Sequence, residues 1–336
     1  MLILTNCLIK NADEGCVNVA YNLIKRMKTA VSGVKVISYE RASDLTDVQM
    51  ELNKFMLSFP LFKLLRKEEK VLYIPFPAKI KATALRIWVL SRFCKELNVL
   101  ISMHDDIDKF SSLLLKNSNA NLIVLSETAY KDFSGAVGNK VSYIKTGVDT
   151  KKFQPVEQTT KLSLREKYGI VPDAKVILHV GHLNEGRNIQ QLLNLSDEYF
   201  VVLVTSTLTK DEQNKKLKDA FLQRKNTLLI DDYVEHIEEI YQLSDLYFFP
   251  VIEAGHCIDV PLSVLEAASC GIPVLTTEYG EAKAFSDNEG FSYITSFENL
   301  NELVNHAINV KIDNIRAAVL DYDWNNAIEF LSRENE

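Results

Sequence analysis

The chain has 336 residues, 47% hydrophobic and 25% charged, enough apolar material for a large core and a length that fits two domains rather than one. No run approaches the roughly 18 apolar residues of a membrane span, no low-complexity stretch argues for disorder, and five scattered cysteines argue against a disulfide framework or a metal site. The net charge of −7 divides into +8 over residues 1–155 and −15 over residues 156–336, which fits halves facing different partners or a simple drift of surface composition.

The opening MLILTNCLIK runs straight into a strand, without the basic and small-residue flanks of a signal peptide, and a reducing cytoplasm is the simplest home for the free thiols. Short apolar runs then alternate with amphipathic stretches, the pattern of parallel α/β sheets. In the first half the expected strands are 2–6, 34–38, 71–74, 98–102, 121–125 and 141–144, with helices over 15–28, 80–97 and 127–134. The segment 146–160, with Gly147, Pro155 and a polar tail, reads as the join between halves. Beyond it the expected strands are 175–181, 200–205, 227–230, 246–249 and 272–276, with helices over 188–195, 211–223, 235–243, 261–269 and 298–309. The close, YDWNNAIEFLSRENE, reads as a helix with Trp324, Ala327, Ile328 and Leu331 on one face. Two doubly wound domains of this kind bind ligands beyond the carboxyl ends of their strands, in a cleft expected between them.

Three segments carry candidate chemistry. In KVSYIKTGVDTKKFQPV a strand meets a Gly-Asp turn, and Phe153 and Pro155 anchor the start of the linker. In VILHVGHLNEGRNIQQLL a strand runs into Gly181, with His182 and Arg187 on the turn before a helix. A guanidinium and helix-start amides there suit a diphosphate, although Arg187 could equally be a solvated helix-start residue and His182 a packed strand end. In SDLYFFPVIEAGHCIDVPLSVLEAASCGIPVLTTEYG a strand leads to a helix near Pro261, for which Asp259 is expected as the N-cap. Glu266 lies inside that apolar helix. A carboxylate there needs a donor partner, which a ribose diol or a neighbouring Lys or Arg would supply.

Taken together and in order, these segments resemble the retaining family-4 type of GT-B glycosyltransferases (glycosyl transferases group 1) over nearly the whole chain. TGVDTKKFQP resembles that family's inter-domain stretch, VGHLNEGRN its phosphate loop and DVPLSVLEAASCGIPVL its glutamate helix and strand. LIVLSETAYKDF resembles its serine-bearing strand end, and YDWNNAIEFL its closing tryptophan helix. The resemblance implies two Rossmann-like domains. Residues 1–150 would face the acceptor and 151–320 bind the nucleotide-sugar donor, with 321–336 packing back toward the N-terminal domain. It implies that Glu266 binds the ribose hydroxyls, that His182 and Arg187 contact the donor phosphates, and that Gly15 brings helix-start amides to them. Gly181, Val260, Pro261 and Leu262 would complete the donor site, and His104 in ISMHDD would lie beside the transferring sugar. No cofactor and no metal is expected, because amides and cations handle the phosphate charge.

Two departures matter: first, the family's second glutamate falls at Ile258, with Glu253 and Asp259 flanking it as replacements. Second, His182 in place of Arg makes the phosphate clamp weaker and pH-sensitive. The implied reaction is transfer of a hexosyl group from a UDP- or GDP-sugar to a glycan or lipid-linked acceptor with retention. The chain would be cytoplasmic or peripheral on the cytoplasmic membrane face, and would not bind nucleic acid. The alternatives are a degenerate subunit that binds nucleotide or a partner, and a nucleotide-sugar hydrolase or epimerase, for which only Asp105, Asp106 and Asp108 offer carboxylates, and these read first as caps of the helix after His104. Two basic amphipathic stretches, KIKATALRIWVLSRFCKELN and FMLSFPLFKLLRKEEK, carry the expectation of an anionic membrane surface. The first also reads as an ordinary helix, whereas the second crowds Phe55, Phe59 and Phe62 around Pro60 without one helical stripe.

Overall fold

The computed structural model describes residues 1–10, 14–53, 58–76, 80–103, 106–138, 140–205, 214–253, 257–310 and 314–333. It divides into two compact units. The first comprises Met1–Thr146, Ile258–Val260 and Trp324–Glu336, and the second Gly147–Cys257 and Pro261–Asp323.

The first unit is built on a seven-stranded, all-parallel sheet in the order β3-β2-β1-β4-β5-β6-β7. Its strands are β1 (Leu2–Cys7), β2 (Lys35–Arg41), β3 (Val48–Gln49), β4 (Lys70–Ile74), β5 (Glu96–Ile101), β6 (Ala120–Val124) and β7 (Val141–Tyr143). Between them run α1 (Gly15–Ala30), α2 (Phe59–Leu65), α3 (Ile80–Leu90), α4 (Lys109–Lys116) and α5 (Glu127–Val137). The central strands are apolar in nearly every position, as strands covered on both faces must be. Their core joins Leu4, Ile37, Tyr73, Val99 and Val124 to Ile80, Ala84, Ile87 and Leu90 of α3. The final helix of the chain, α11 (Trp324–Ser332), belongs to this unit, with the Arg26 guanidinium of α1 5.7 Å from the Trp324 ring centroid.

The second unit repeats the plan with six parallel strands in the order β10-β9-β8-β11-β12-β13. They are β8 (Lys175–Val180), β9 (Tyr199–Val204), β10 (Thr227–Ile230), β11 (Leu246–Phe249), β12 (Val274–Thr276) and β13 (Phe291–Tyr293). The helices are α6 (Gln158–Lys167), α7 (Lys215–Gln223), α8 (Ile237–Gln242), α9 (Leu262–Ser269) and α10 (Leu300–Asn309), supplemented by short 3-10 helices. The architecture is the expected pair of doubly wound Rossmann-like sheets.

Three expectations need correction. The helix expected over 80–97 ends at Leu90, whose carbonyl accepts the amides of Phe93 and Cys94 at 2.9 and 3.2 Å. That turn frees Glu96 to pair with Lys70 in the sheet. The expected helix 188–195 is a 3-10 helix, Ile189–Asn194, entered through Asn188 in the left-handed region at φ 58°. FPLFKLL, where no helical stripe was evident, is α2. It buries Leu61 and Leu65 and stacks Phe62 on Phe93 with ring centroids 3.8 Å apart.

Candidate functional site

In the second sheet β8 and β11 are neighbours, and the chain winds outward from them in opposite directions, so their carboxyl ends flank a topological switch point. The segment after β8 is organised by two side chains. Gly181 donates its amide to the Val204 carbonyl at 2.9 Å and has φ 156°. The Asn184 carboxamide then accepts the Arg187 amide at 3.0 Å and caps a 3-10 turn over Glu185–Arg187. That turn brings the Arg187 guanidinium back over Gly181, where a Cβ would collide with it. Glycine is required here for close approach as well as for conformation. Arg187 is 8% exposed, a low value for a guanidinium, and His182 beside it is half-buried.

Beneath this turn lies His179, a residue that nothing in the sequence singles out. It is fully buried in β8, with Nδ1 2.8 Å from the Phe248 carbonyl and its ring stacked 6.4 Å from that of Tyr247. Burial pushes its pKa down to about 4, and the Arg187 and His182 charges push the same way. His179 is therefore neutral at physiological pH.

On the other side of the switch point, α9 starts at Leu262. Its N-cap is Pro261, whose side chain makes no capping hydrogen bond to the first amides. The expected N-cap, Asp259, does not fill that role. It lies two residues before the cap, is 7% exposed, and donates its own amide to the Ser102 carbonyl at 3.0 Å. Val260, Pro261 and Leu262 are all buried. Glu266 sits half-buried one turn into α9, and its carboxylate accepts the Tyr241 hydroxyl of α8 at 2.7 Å. Burial raises the Glu266 pKa to about 7, while the Tyr241 hydroxyl and the Lys152 charge pull it back. The donor partner is thus a buried tyrosine rather than the Lys or Arg weighed from sequence. Tyr241 in turn packs 5.8 Å from Tyr247, and Tyr247 responds to both the Arg187 cation and the Glu266 carboxylate.

The stretch carrying Phe153 is bolted to the same helix. Phe153 is buried edge-on against Tyr241 at 5.6 Å. Its carbonyl accepts Ser269 Oγ and Arg316 Nη1, both at 2.6 Å, and Arg316 Nη2 reaches the Thr150 carbonyl at 2.6 Å. Arg316 is also silent in the sequence, because an isolated arginine in a polar C-terminal stretch carries no local signal.

In the first unit, Gly15 opens α1, but the cap is Glu14, whose carboxylate accepts the Val17 amide at 2.9 Å. Ile258, 3% exposed, lies over Gly15, so that a Cβ on Gly15 would meet its side chain at 3.1–3.3 Å. The position where the family pattern has a glutamate is thus apolar and packed. Of the flanking carboxylates, Asp259 is buried and Glu253 exposed. His104 lies outside the described residues. Asp108, weighed with Asp105 and Asp106 as a general acid or base, caps α4 by accepting the Ser111 amide at 2.7 Å. Among the described residues no cluster of His, Cys, Asp and Glu could hold a metal ion, and no helix is long and apolar enough to cross a membrane.

Residues 160–322 match the family model of the glycosyl transferases group 1. An Escherichia coli UDP-Gal:alpha-D-GlcNAc-diphosphoundecaprenol alpha-1,3-galactosyltransferase is 26% identical over 188 residues, 52% of this chain and 46% of that protein. An alpha-galactosylglucosyldiacylglycerol synthase of Streptococcus pneumoniae is 24% identical over 170 residues, 47% of this chain and 44% of the other. The chain thus spans less than half the length of these two relatives. Among solved structures, Anabaena HepE in complex with UDP and glucose superposes with a TM-score of 0.73 at 15% identity, covering 98% of both chains. WaaG, a glycosyltransferase involved in lipopolysaccharide biosynthesis, superposes with a TM-score of 0.58 at 14% identity, covering 100% of this chain and 96% of the other.

Proposed function

We propose that this chain, which has the GT-B fold and whose residues 160–322 match the model of the glycosyl transferases group 1, is an enzyme that transfers a hexosyl group from a UDP-sugar to a lipid-linked acceptor. The observation that carries this reading is the grouping at the switch point of the second sheet: Arg187 folded over Gly181, and Glu266 one turn inside a helix whose N-cap residue, Pro261, makes no side-chain capping hydrogen bond. A guanidinium and helix-start amides suit a diphosphate. A carboxylate held by one hydroxyl keeps acceptor capacity for a ribose diol. UDP as the nucleotide is supported by the UDP complexes of HepE, and a lipid-linked acceptor by the names of the Escherichia coli and Streptococcus pneumoniae relatives.

In this mechanism Arg187 and the amides of Leu262 and Ser263 neutralise charge building on the departing diphosphate. His182 adds charge when protonated. The bond between the anomeric carbon and the diphosphate oxygen breaks as the acceptor oxygen bonds to the same face of that carbon, and the acceptor proton passes to the diphosphate. Retention follows without a covalent intermediate. The enzyme contributes positioning and electrostatic stabilisation, and needs neither metal nor cofactor. The N-terminal unit takes the acceptor, with Asp259 and His104 contributing on that side.

The packing of Ile258 on Gly15 favours a second reading, a degenerate subunit that binds nucleotide without turnover. A thermal-shift screen with UDP-, GDP- and ADP-sugars tests the first reading. A UDP-sugar at a hundred times its dissociation constant stabilises the fold by about 2.7 kcal/mol. Lack of response to every UDP-sugar would sink the proposed donor. Slow release of UDP from the bound donor without acceptor separates the enzyme from the degenerate subunit.

A further inference from the structure

The Nε2 atom of His179 is a buried polar atom with no hydrogen-bond partner among the described residues. Such an atom is costly in a folded protein unless something occupies it in the working state. Its chemistry is fixed by its ring partner. A carbonyl can only accept, so Nδ1, 2.8 Å from the Phe248 carbonyl, carries the proton. Nε2 is then a lone pair, an acceptor in need of a donor. Its direction is fixed as well, because the ring is stacked on Tyr247 and wholly buried. The Nε2 atom lies 3.2 Å from the point a Cβ on Gly181 would take, and the Arg187 guanidinium borders that same space.

A phosphate oxygen cannot satisfy this lone pair, since both would be acceptors. A guanidinium N–H can. We propose that His179 is a positioning residue for the donor diphosphate: Nε2 accepts one Arg187 N–H when Arg187 closes on the phosphates, and thereby aims the remaining N–H groups at the phosphate oxygens. The inference rests on the reading of Arg187 as a diphosphate ligand and deepens it. A guanidinium has five N–H groups in a rigid plane, so fixing one edge fixes the orientation of the other. Gly181 is the residue that leaves room for this contact.

The test is a double-mutant cycle on UDP and uridine affinity, measured by titration at neutral pH. Arg187→Ala should weaken UDP and leave uridine unchanged. His179→Phe keeps the stack on Tyr247 but removes the lone pair, and should weaken UDP about tenfold with uridine unchanged. In the Arg187→Ala background the same change should cost nothing further, because its only route to the ligand is gone. His179→Gln, which can offer a carbonyl oxygen in place of Nε2, should restore part of the UDP affinity. If His179→Phe does not fold, His179→Leu carries the same cycle. An Arg187→Ala variant that is selectively weakened for UDP, together with a His179 loss that is additive to it or equal for uridine, overturns the positioning role alone. An Arg187→Ala variant that binds UDP like the parent overturns the diphosphate reading, and the His179 proposal with it.

Discussion

Burial disfavours the charged form of both Glu266 and His179, with opposite consequences for the pH dependence of stability. The Glu266 carboxyl is raised from the ordinary 4.5 to about 7, so its contribution is fully present below pH 4.5 and is lost as pH rises through 7. The His179 imidazole is lowered from 6.5 to about 4. Its contribution is present above pH 6.5 and lost as pH falls through 4. Between pH 4.5 and 6.5 the two slopes oppose each other and largely cancel. Glu266→Gln should therefore raise stability at pH 8, by on the order of 1–3 kcal/mol, while weakening UDP-sugar binding. Urea midpoints at pH 5 and pH 8, beside donor titrations, check both halves. A variant less stable than the parent at pH 8 would mean that the Tyr241 hydrogen bond outweighs the burial of charge. His179→Phe should flatten the acid limb alone, with its stability loss relative to the parent shrinking as pH falls from 6.5 to 4. Of these two residues, Glu266 stood out in the sequence because a carboxylate interrupts LSVLEAASC. His179 did not, because a histidine inside VILHV looks like any core residue until its neighbours are placed around it.

At the level of elements, the central strands were legible because parallel strands buried on both faces leave unbroken apolar runs. The elements that were not legible have little such signal. β3 is two exposed residues at a sheet edge, β13 is a three-residue edge strand that buries only Phe291, and α6 is a polar helix that buries Leu164 and Arg165. Arg165 shows why α6 matters. Its guanidinium, 4% exposed, reaches the Leu243 carbonyl at 3.0 Å, the Pro172 carbonyl at 2.6 Å and Asp245 at 2.6 Å. Asp245 also accepts the Val176 amide and Lys161 Nζ of α6, each at 2.7 Å, so two ion pairs tie α6 to the starts of β8 and β11. Arg165→Ala takes this donor from the Leu243 and Pro172 carbonyls while Asp245 keeps Lys161 and the Val176 amide, and should cost about 1–3 kcal/mol. Both tryptophans, Trp88 and Trp324, lie in the first unit. Loss of far-UV circular dichroism in the variant should therefore precede the change in tryptophan fluorescence on urea titration. Coincident transitions with an unshifted midpoint would show that α6 is held by something else.

Across the whole molecule, the +8 of residues 1–155 against the −15 of the remainder acquires a location in the fold. The first basic stretch is largely the ordinary helix α3, with Ile80, Ala84, Ile87 and Leu90 buried. In the second, Phe55 lies outside the described residues, and Leu61, Leu65 and Phe62 are committed to the core, Phe62 through its stack on Phe93. What α2 and its C-terminal turn present to solvent is Phe59, 80% exposed, and Leu64, together with the exposed cations Lys63, Arg66 and Lys67. An aromatic ring that exposed, on the same helix and turn as three exposed cations, suits the interface of an anionic bilayer. Each basic residue near that surface contributes about 1 kcal/mol, and the three together change partitioning by a factor of about a hundred. We therefore expect the protein to co-sediment with vesicles containing anionic lipid, more strongly at low salt than at physiological salt, and not with neutral vesicles. Replacing Lys63, Arg66 and Lys67 with Gln should abolish the low-salt binding, and Phe59→Ala should weaken the part that survives physiological salt. UDP-sugar affinity in solution should stay unchanged in both, since α2 belongs to the unit that does not carry Arg187 and Glu266. Absence of binding at either salt, or binding indifferent to the three cations, would leave charge asymmetry as surface drift and make a soluble acceptor the better reading.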